Sequence, residues 1–152
     1  MNTTRDDLWN RDDQFKNQFS TESQKKRIMN RWRVFKNLIK QHNFKPAIKL
    51  RVLDIGCGDG INILGITNIL ESLNFNYEIT AVDFNEERLN KAKDRFPDIT
   101  TGKMDIVKDK IDQKFDLIIF NHVLEHIKED EVALRNLDSI LENDGLILLG
   151  VP

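Results

Sequence analysis

Short apolar runs alternate with amphipathic stretches from residue 49 to the end of the chain. The apolar runs predict five β-strands, at 49–55, 77–82, 98–104, 115–120 and 146–151. The amphipathic stretches predict helices, at 61–73, 86–96 and 129–143. Strands that alternate with helices form a parallel sheet with right-handed crossovers. The pattern therefore predicts the α/β class, with a doubly wound parallel sheet in three α/β/α layers.

A further helix is predicted upstream of the first strand. We therefore divide the chain into an N-terminal helical segment, 1–47, and a sheet domain, 48–152. Thr21 and Gln24 match a capping box at the start of this helix, which should end by Asn43. Its apolar face is formed by Ile28, Trp32, Phe35, Ile39 and, at the margin, Leu38.

The opposite face of the same helix is basic. It carries Lys25, Lys26, Arg27, Arg31, Arg33, Lys36 and Lys40. A basic stripe can bind nucleic acid, but the aromatic side chains lie on the other face, so we favour a solvated face and do not expect a nucleic-acid partner. Residues 1–19 are interpreted as a mobile tail, and the alternative is a lid that turns Trp9, Phe15 and Phe19 towards a ligand.

Composition bounds the cellular setting. Cys57 is the only cysteine of the 152 residues, so no internal disulfide can form. The first twenty residues are polar, and no apolar run has the length of a membrane span. We expect a cytoplasmic protein without a membrane span.

The first strand runs into a glycine-rich turn with Gly56, Gly58 and Gly60. Such glycines let a ligand approach the backbone closely. Ile61 stands where the dinucleotide fingerprint G-x-G-x-x-G has its third glycine, and no G-K-[ST] follows. Asp54 precedes the turn, and its carboxylate suits an ammonium or sulfonium better than a phosphate.

Polar residues also end the next three predicted strands, namely Asp83, Asp105 and Asn121. Ligands of such sheets bind beyond these strand ends. Asp83 suits the two hydroxyls of a ribose, and Asp105 suits an adenine amino group. The alternatives are a helix-start residue for Asp83 and an ordinary loop acid for Asp105. Phe84 and Ile106 either sandwich a flat base or belong to the core.

Five segments carry a family resemblance, at 52–60, 81–84, 103–106, 115–126 and 141–146. Together they resemble the motifs of class I S-adenosylmethionine-dependent methyltransferases, in particular the quinone- and sugar-type enzymes with small-molecule substrates. The resemblance covers about residues 48–152 and implies a Rossmann-like fold. It also implies S-adenosylmethionine as cofactor and S-adenosylhomocysteine as product.

The resemblance assigns roles to the strand-end residues. It implies that Asp54 and the loop at Gly56, Cys57, Gly58 and Gly60 bind the methionine end of the cofactor. It gives the ribose to Asp83 and the adenine to Asp105 and Ile106. The remaining cofactor contacts that it implies are Phe84, Asn121 and His122.

His122 and His126 are the candidate catalytic bases. The alternative is that both histidines only shape a loop over the cofactor. Some relatives hold a divalent metal with Glu-x-x-Glu-His here, but this chain has His122 at the first of those positions, so we expect no metal. A zinc-protease motif is disfavoured because no third ligand follows.

We therefore expect methyl transfer to a small-molecule acceptor. The alternatives are a catalytically incomplete cofactor-binding module or partner subunit and, as a minor one, RNA methylation through the basic helix. The family's sheet has seven strands, whereas this chain ends after the fifth. We expect either a fragment of a longer protein or an oligomer that pairs through the exposed fifth strand.

Overall fold

The computed structural model describes residues 17–45 and 49–152. The elements of this part of the chain are α1 (Glu22–His42), β1 (Leu50–Ile55), α2 (Ile61–Ser72), β2 (Tyr77–Asp83), α3 (Glu86–Arg95), β3 (Thr100–Lys103), β4 (Phe115–Asn121), a 3-10 turn (Leu124–His126), α4 (Asp130–Ile140) and β5 (Leu141–Gly150). The question of a tail or a lid concerns residues 1–19, of which 1–16, with Trp9 and Phe15, lie outside the described residues, whereas Phe19 is described.

The described strands form one parallel sheet in the order β3-β2-β1-β4-β5. β1 is central, with Leu53 beside Thr80 of β2 and Ile118 of β4. Alternate residues of β1 face two different apolar clusters, one shared with α1, α2 and α3 and the other shared with α4. The sheet is therefore covered on both faces, which confirms the predicted three-layer, Rossmann-like arrangement.

The N-terminal helix α1 follows its sequence signals closely. Thr21 Oγ1 accepts from the Gln24 N–H at 3.2 Å, and Gln24 Oε1 accepts from the Thr21 N–H at 3.0 Å, which confirms the capping box. The helix ends at Asn43, whose left-handed φ of 60° breaks it. Leu38 is 40% exposed, so its assignment to the apolar face was wrong; it lies 100° around the helix from the buried Ile39.

The end of the chain departs from the prediction. α4 stops at Ile140, and β5 begins at once with Leu141 paired to Phe115. The next pair along is Leu146 with Leu117, so residues 142–145 form a bulge where a helix end was predicted. Arg51 explains the difference, because its guanidinium binds Glu142 at 2.7 Å and Asp116 at 3.1 Å and holds the segment against the sheet.

In the part of the chain that the structure describes, no helix is long and apolar enough to cross a membrane.

A glycine sets the distance between α1 and α2. A Cβ at Gly65 would overlap the indole ring of Trp32. Trp32 also lies against Phe19, with ring centroids 6.3 Å apart. The missing side chain at Gly65 therefore lets α1 sit close to α2, and it fixes where α1 runs past the strand ends.

We predict that Gly65→Ala lowers the free energy of unfolding by about 1–3 kcal/mol, because overpacking of this contact outweighs the better helix propensity of alanine. Urea unfolding measures the change. Gly102→Ala is the matched control, since the atom nearest to a Cβ there lies 3.8 Å away. Equal changes in the free energy of unfolding for the two variants would contradict the close contact between Gly65 and Trp32.

Candidate active site

The glycine-rich turn is held over the ends of β1 and β2. Gly56, Gly58 and Gly60 have left-handed φ values of 70°, 52° and 95°. The N–H groups of Gly56 and Cys57 both donate to Val82 O, at 2.8 and 3.1 Å. A Cβ at Gly56 would overlap Val123, the second residue after β4. The turn therefore adopts a conformation that favours glycine, and its backbone approaches the loop after β4.

Two neighbouring cavities open at this end of the sheet. The larger measures about 580 Å³ and the smaller about 380 Å³. Gly56, Arg88, His122 and His126 line both of them. They lie where β1 adjoins β4, the point at which crossovers leave in opposite directions and ligands of doubly wound sheets bind.

The larger cavity brings together the residues predicted to bind the nucleoside, namely Asp83, Phe84, Asp105 and Ile106. Asp83 is buried, and its two carboxylate oxygens accept from the N–H groups of Gly58 and Asn85, both at 2.9 Å. A carboxylate has about four acceptor sites, so Asp83 keeps acceptor capacity beside the cavity. It also ties the glycine turn to the end of β2.

Asp105 lies on the β3 side of the larger cavity. Its Oδ1 accepts from the Val107 N–H at 3.0 Å, and its Oδ2 lies 3.2 Å from Lys108 Nζ. Ile106 beside it is buried. Asp105 therefore makes contacts within its own loop and also lines the larger cavity, and its contact with an adenine stays a prediction.

Asp54 begins a buried chain of polar side chains. Its Oδ1 accepts from Asn62 Nδ2 at 3.4 Å, and Asn62 Oδ1 accepts from Asn121 Nδ2 at 3.1 Å. Asn62 and Asn121 line the smaller cavity, but Asp54 lines neither cavity. Asp54 Oδ2 and Asn121 Oδ1 are buried without a hydrogen-bond partner among the described residues. The pairing of Asp54 with a ligand through direct contact stays a prediction.

The environment of Asp54 favours its neutral form. Burial raises the pKa of Asp54 from 3.8 to about 8; nearby Asp83 adds to the rise, and the Asn62 hydrogen bond opposes it. Burial likewise raises the pKa of the neighbouring Cys57 thiol, and the charges of Asp54 and Asp83 add to that effect. Cys57 therefore lines the smaller cavity as a neutral thiol.

His122 follows β4 with a left-handed φ of 56°. Arg31 Nη2 lies 2.6 Å from His122 Nε2, and His122 Nδ1 lies 3.1 Å from Glu125 Oε1. A guanidinium can only donate, so Nε2 accepts and Nδ1 carries the proton that is donated to Glu125. In this arrangement Arg31 occupies the basic nitrogen of His122. The role of a catalytic base therefore stays a prediction for His122 and for His126.

Arg31 itself was assigned to a solvated basic face. Four of the seven residues of that face are exposed, as the assignment expects, and three are half-buried, namely Lys25, Arg31 and Lys36. Arg31 differs because it lines the smaller cavity, since the close contact of α1 with α2 brings this side of the helix to the strand ends.

A buried ion pair was also missed. Arg88 Nε donates to Asp59 Oδ1 at 3.1 Å, with side chains only 12% and 4% exposed. The guanidinium of Arg88 occupies the space that a Cβ at Gly58 would need. Arg95 Nη1 donates to the Asp59 carbonyl at 3.0 Å. These contacts hold α3 against the glycine turn. The sequence signal for this ion pair was the acidic residue Asp59 between two glycines.

Among the described residues, no group of three or more His, Cys, Asp or Glu side chains is arranged to hold a metal ion.

The fold and the strand-end site define a doubly wound α/β domain with a ligand site beside a glycine-rich turn. A family model described as a methyltransferase domain matches residues 10–152. The chain therefore belongs to the methyltransferase-domain family, and the resemblance to class I S-adenosylmethionine-dependent methyltransferases is confirmed.

Curated relatives agree with this assignment. Malonyl-(acyl-carrier protein) O-methyltransferase of Bacillus cytotoxicus is 33% identical over 110 residues, which are 71% of this chain and 37% of the relative. Trans-aconitate 2-methyltransferase of Agrobacterium fabrum is 33% identical over 102 residues, which are 65% of this chain and 37% of the relative. The chain thus spans little more than a third of these proteins.

Solved structures share the fold. The CMeT domain of the citrinin polyketide synthase superposes with a TM-score of 0.69 at 20% identity, covering 91% of this chain and 41% of that one. Coclaurine N-methyltransferase, bound to N-methylheliamine and S-adenosylhomocysteine, gives a TM-score of 0.62 at 22% identity, covering 78% of this chain and 35% of that one.

We predict that Asp54 makes the chain less stable as the pH rises from about 4 to about 8. In this range the unfolded chain has lost the proton of Asp54 while the folded chain keeps it. The free energy of unfolding therefore falls with pH, by roughly 1.4 kcal/mol for each unit that separates the two pKa values.

Urea unfolding at several pH values, without ligand, measures this effect as the difference between the chain and its Asp54→Asn variant. Asp98→Asn is the control, because Asp98 is exposed. If the free energy of unfolding changes with pH in the same way in the chain and in Asp54→Asn, Asp54 is ionised in the folded state and the prediction is wrong.

Proposed function

We propose that this chain binds S-adenosylmethionine across the two cavities and contributes the cofactor-binding half of an enzyme that methylates a small molecule. The observation that carries the proposal is the meeting of both cavities at Gly56, beside the end of β1. A ligand with a nucleoside at one end and an amino acid at the other suits such a pair of neighbouring spaces. The turn between them approaches closely enough to contact the centre of that ligand.

The larger cavity suits the nucleoside. The remaining acceptor capacity of Asp83 suits the two ribose hydroxyls, which are donors. The side chains of Phe84 and Ile106 offer apolar surface for the adenine, and Asp105 offers an acceptor for its amino group. These groups lie on the β2 and β3 side of the glycine turn, so the sulfonium comes to lie near Gly56.

The smaller cavity suits the methionine end. Cys57 and Asn121 line it, and the buried Asn121 Oδ1 behind its wall has no hydrogen-bond partner among the described residues. Asp54 acts behind Asn62 and Asn121, since it lines neither cavity. An ammonium bound near this chain of hydrogen bonds favours the ionised form of Asp54, so binding should release a proton in part.

Methyl transfer from a sulfonium is an in-line displacement. Alignment of the acceptor atom with the methyl group supplies much of the rate, and a general base is needed only when the acceptor must lose a proton. The smaller cavity lies at the methionine side of the site and continues to His122 and Glu125, so the acceptor approaches from there. Two relatives are named for malonyl-(acyl-carrier protein) and trans-aconitate, which supports a small metabolite-like acceptor here.

We predict that Asp83→Ala weakens S-adenosylhomocysteine binding at least about tenfold, because hydrogen bonds to a charged group contribute about 1.5–3 kcal/mol. Isothermal titration calorimetry measures the affinity. Asp98→Ala is the control, being an exposed acid at the opposite end of the sheet. Since Asp83 also holds the turn, the melting temperature of each variant is recorded, and Asp83→Asn is compared as a variant of nearly the same shape.

Unchanged affinity in a folded Asp83→Ala variant would overturn the ribose assignment. Binding of NAD in place of S-adenosylhomocysteine would overturn the proposed cofactor.

A further inference from the structure

We propose that Arg31 is the anion-binding residue of the smaller cavity and that the anion it takes is a carboxylate. The proposal rests on the proposed function for the identity of the ligand that supplies this carboxylate. It assigns to the N-terminal helix α1 a direct part in binding, where the sequence placed only a solvated basic face.

The guanidinium of Arg31 lacks an acidic partner. Its Nη2 donates to His122 Nε2, and the described residues place no carboxylate within ion-pair distance of it. A guanidinium has five N–H donors, so most of them stay available. Burial lowers the pKa of Arg31 and the charge of Arg27 lowers it further, while Glu125 opposes both. A bound anion would therefore stabilise the charged guanidinium in this position.

The other charged groups of the smaller cavity are already engaged. Asp59 is paired with Arg88, and Glu125 lies 3.1 Å from His122 and 3.9 Å from His126. Among the described residues that line this cavity, Arg31 is therefore the guanidinium that is not paired with a carboxylate. The charged side chains of the lining include two guanidinium groups and two carboxylates, so an anion gains most beside the guanidinium that neither carboxylate pairs.

The planar shape of the Arg31 guanidinium also favours a carboxylate. The planar fork of a guanidinium binds the two oxygens of a carboxylate side by side, which a lysine cannot do. Two ligands can bring a carboxylate to this place: the methionine end of the cofactor, and an acidic methyl acceptor. Both approach from Gly56, which the two cavities share.

The test compares Arg31→Gln with Arg33→Gln, the same substitution at an exposed position of α1. Calorimetry with S-adenosylhomocysteine and with 5′-methylthioadenosine separates the carboxylate from the nucleoside, because the second ligand lacks the amino-acid end. Malonate, titrated with and without saturating S-adenosylhomocysteine, serves as the acceptor-like probe. If Arg31→Gln does not fold by circular dichroism, Arg31→Lys is used, which keeps the charge without the fork.

If the cofactor supplies the carboxylate, Arg31→Gln weakens S-adenosylhomocysteine at least about tenfold and leaves 5′-methylthioadenosine unchanged. If the acceptor supplies it, S-adenosylhomocysteine is unchanged and malonate binding is lost. Arg33→Gln leaves the binding of S-adenosylhomocysteine and of malonate unchanged.

Unchanged binding of both S-adenosylhomocysteine and malonate overturns the proposal, and so does equal weakening of both nucleosides, which indicates a structural role. Failure of the chain to bind either nucleoside overturns the proposed function instead. In that case, malonate binding that is lost in Arg31→Gln still supports an anion site at Arg31. If the unsubstituted chain does not bind malonate either, both the anion site and the proposed function are overturned.

Discussion

The carboxylate of Asp83 is the interaction on which the site depends. It accepts the N–H of Gly58 from the turn after β1 and the N–H of Asn85 at the start of α3. One buried charge thus fixes the glycine turn, the end of β2 and the first turn of the next helix relative to one another. The same carboxylate borders the larger cavity, so the group that organises the backbone also faces the ligand.

Charged side chains at both ends of the sheet form pairs that cross between elements. Asp59 of the turn is paired with Arg88 of α3, and Arg51 of β1 joins β4 to the bulge of β5 through Asp116 and Glu142. Arg31 of α1 differs, because it reaches the site from outside the sheet and meets the neutral His122. In our proposal, α1 therefore brings to the site a cation that is paired by a ligand.

Much of this could be predicted from the sequence because it depends on local signals. The parallel sheet follows from alternating periodicity, and the gathering of Asp83, Phe84, Asp105 and Ile106 at one cavity follows from their positions after strands. The glycine turn could be located for the same reason, since left-handed φ values restrict the residue type strongly.

What the sequence did not reveal depends on contacts between distant residues. The bulge at 142–145 replaces a helix end because Arg51, 91 residues away, binds Glu142. Arg31 is 91 residues from His122, and Asn62 is 59 residues from Asn121. Helical periodicity places Arg31 on a polar face but cannot state what that face meets. Asn62 is likewise a polar residue of α2 without a local sequence signal, and its role comes from its hydrogen bonds to Asp54 and Asn121.

The most direct measurement is a crystal structure of the chain with S-adenosylhomocysteine. The account predicts the ribose hydroxyls within hydrogen-bond distance of Asp83, the adenine between Phe84 and Ile106, and the amino-acid end in the smaller cavity beside Asn121. A ligand bound away from the end of β1, or one with its ribose out of reach of Asp83, would contradict it.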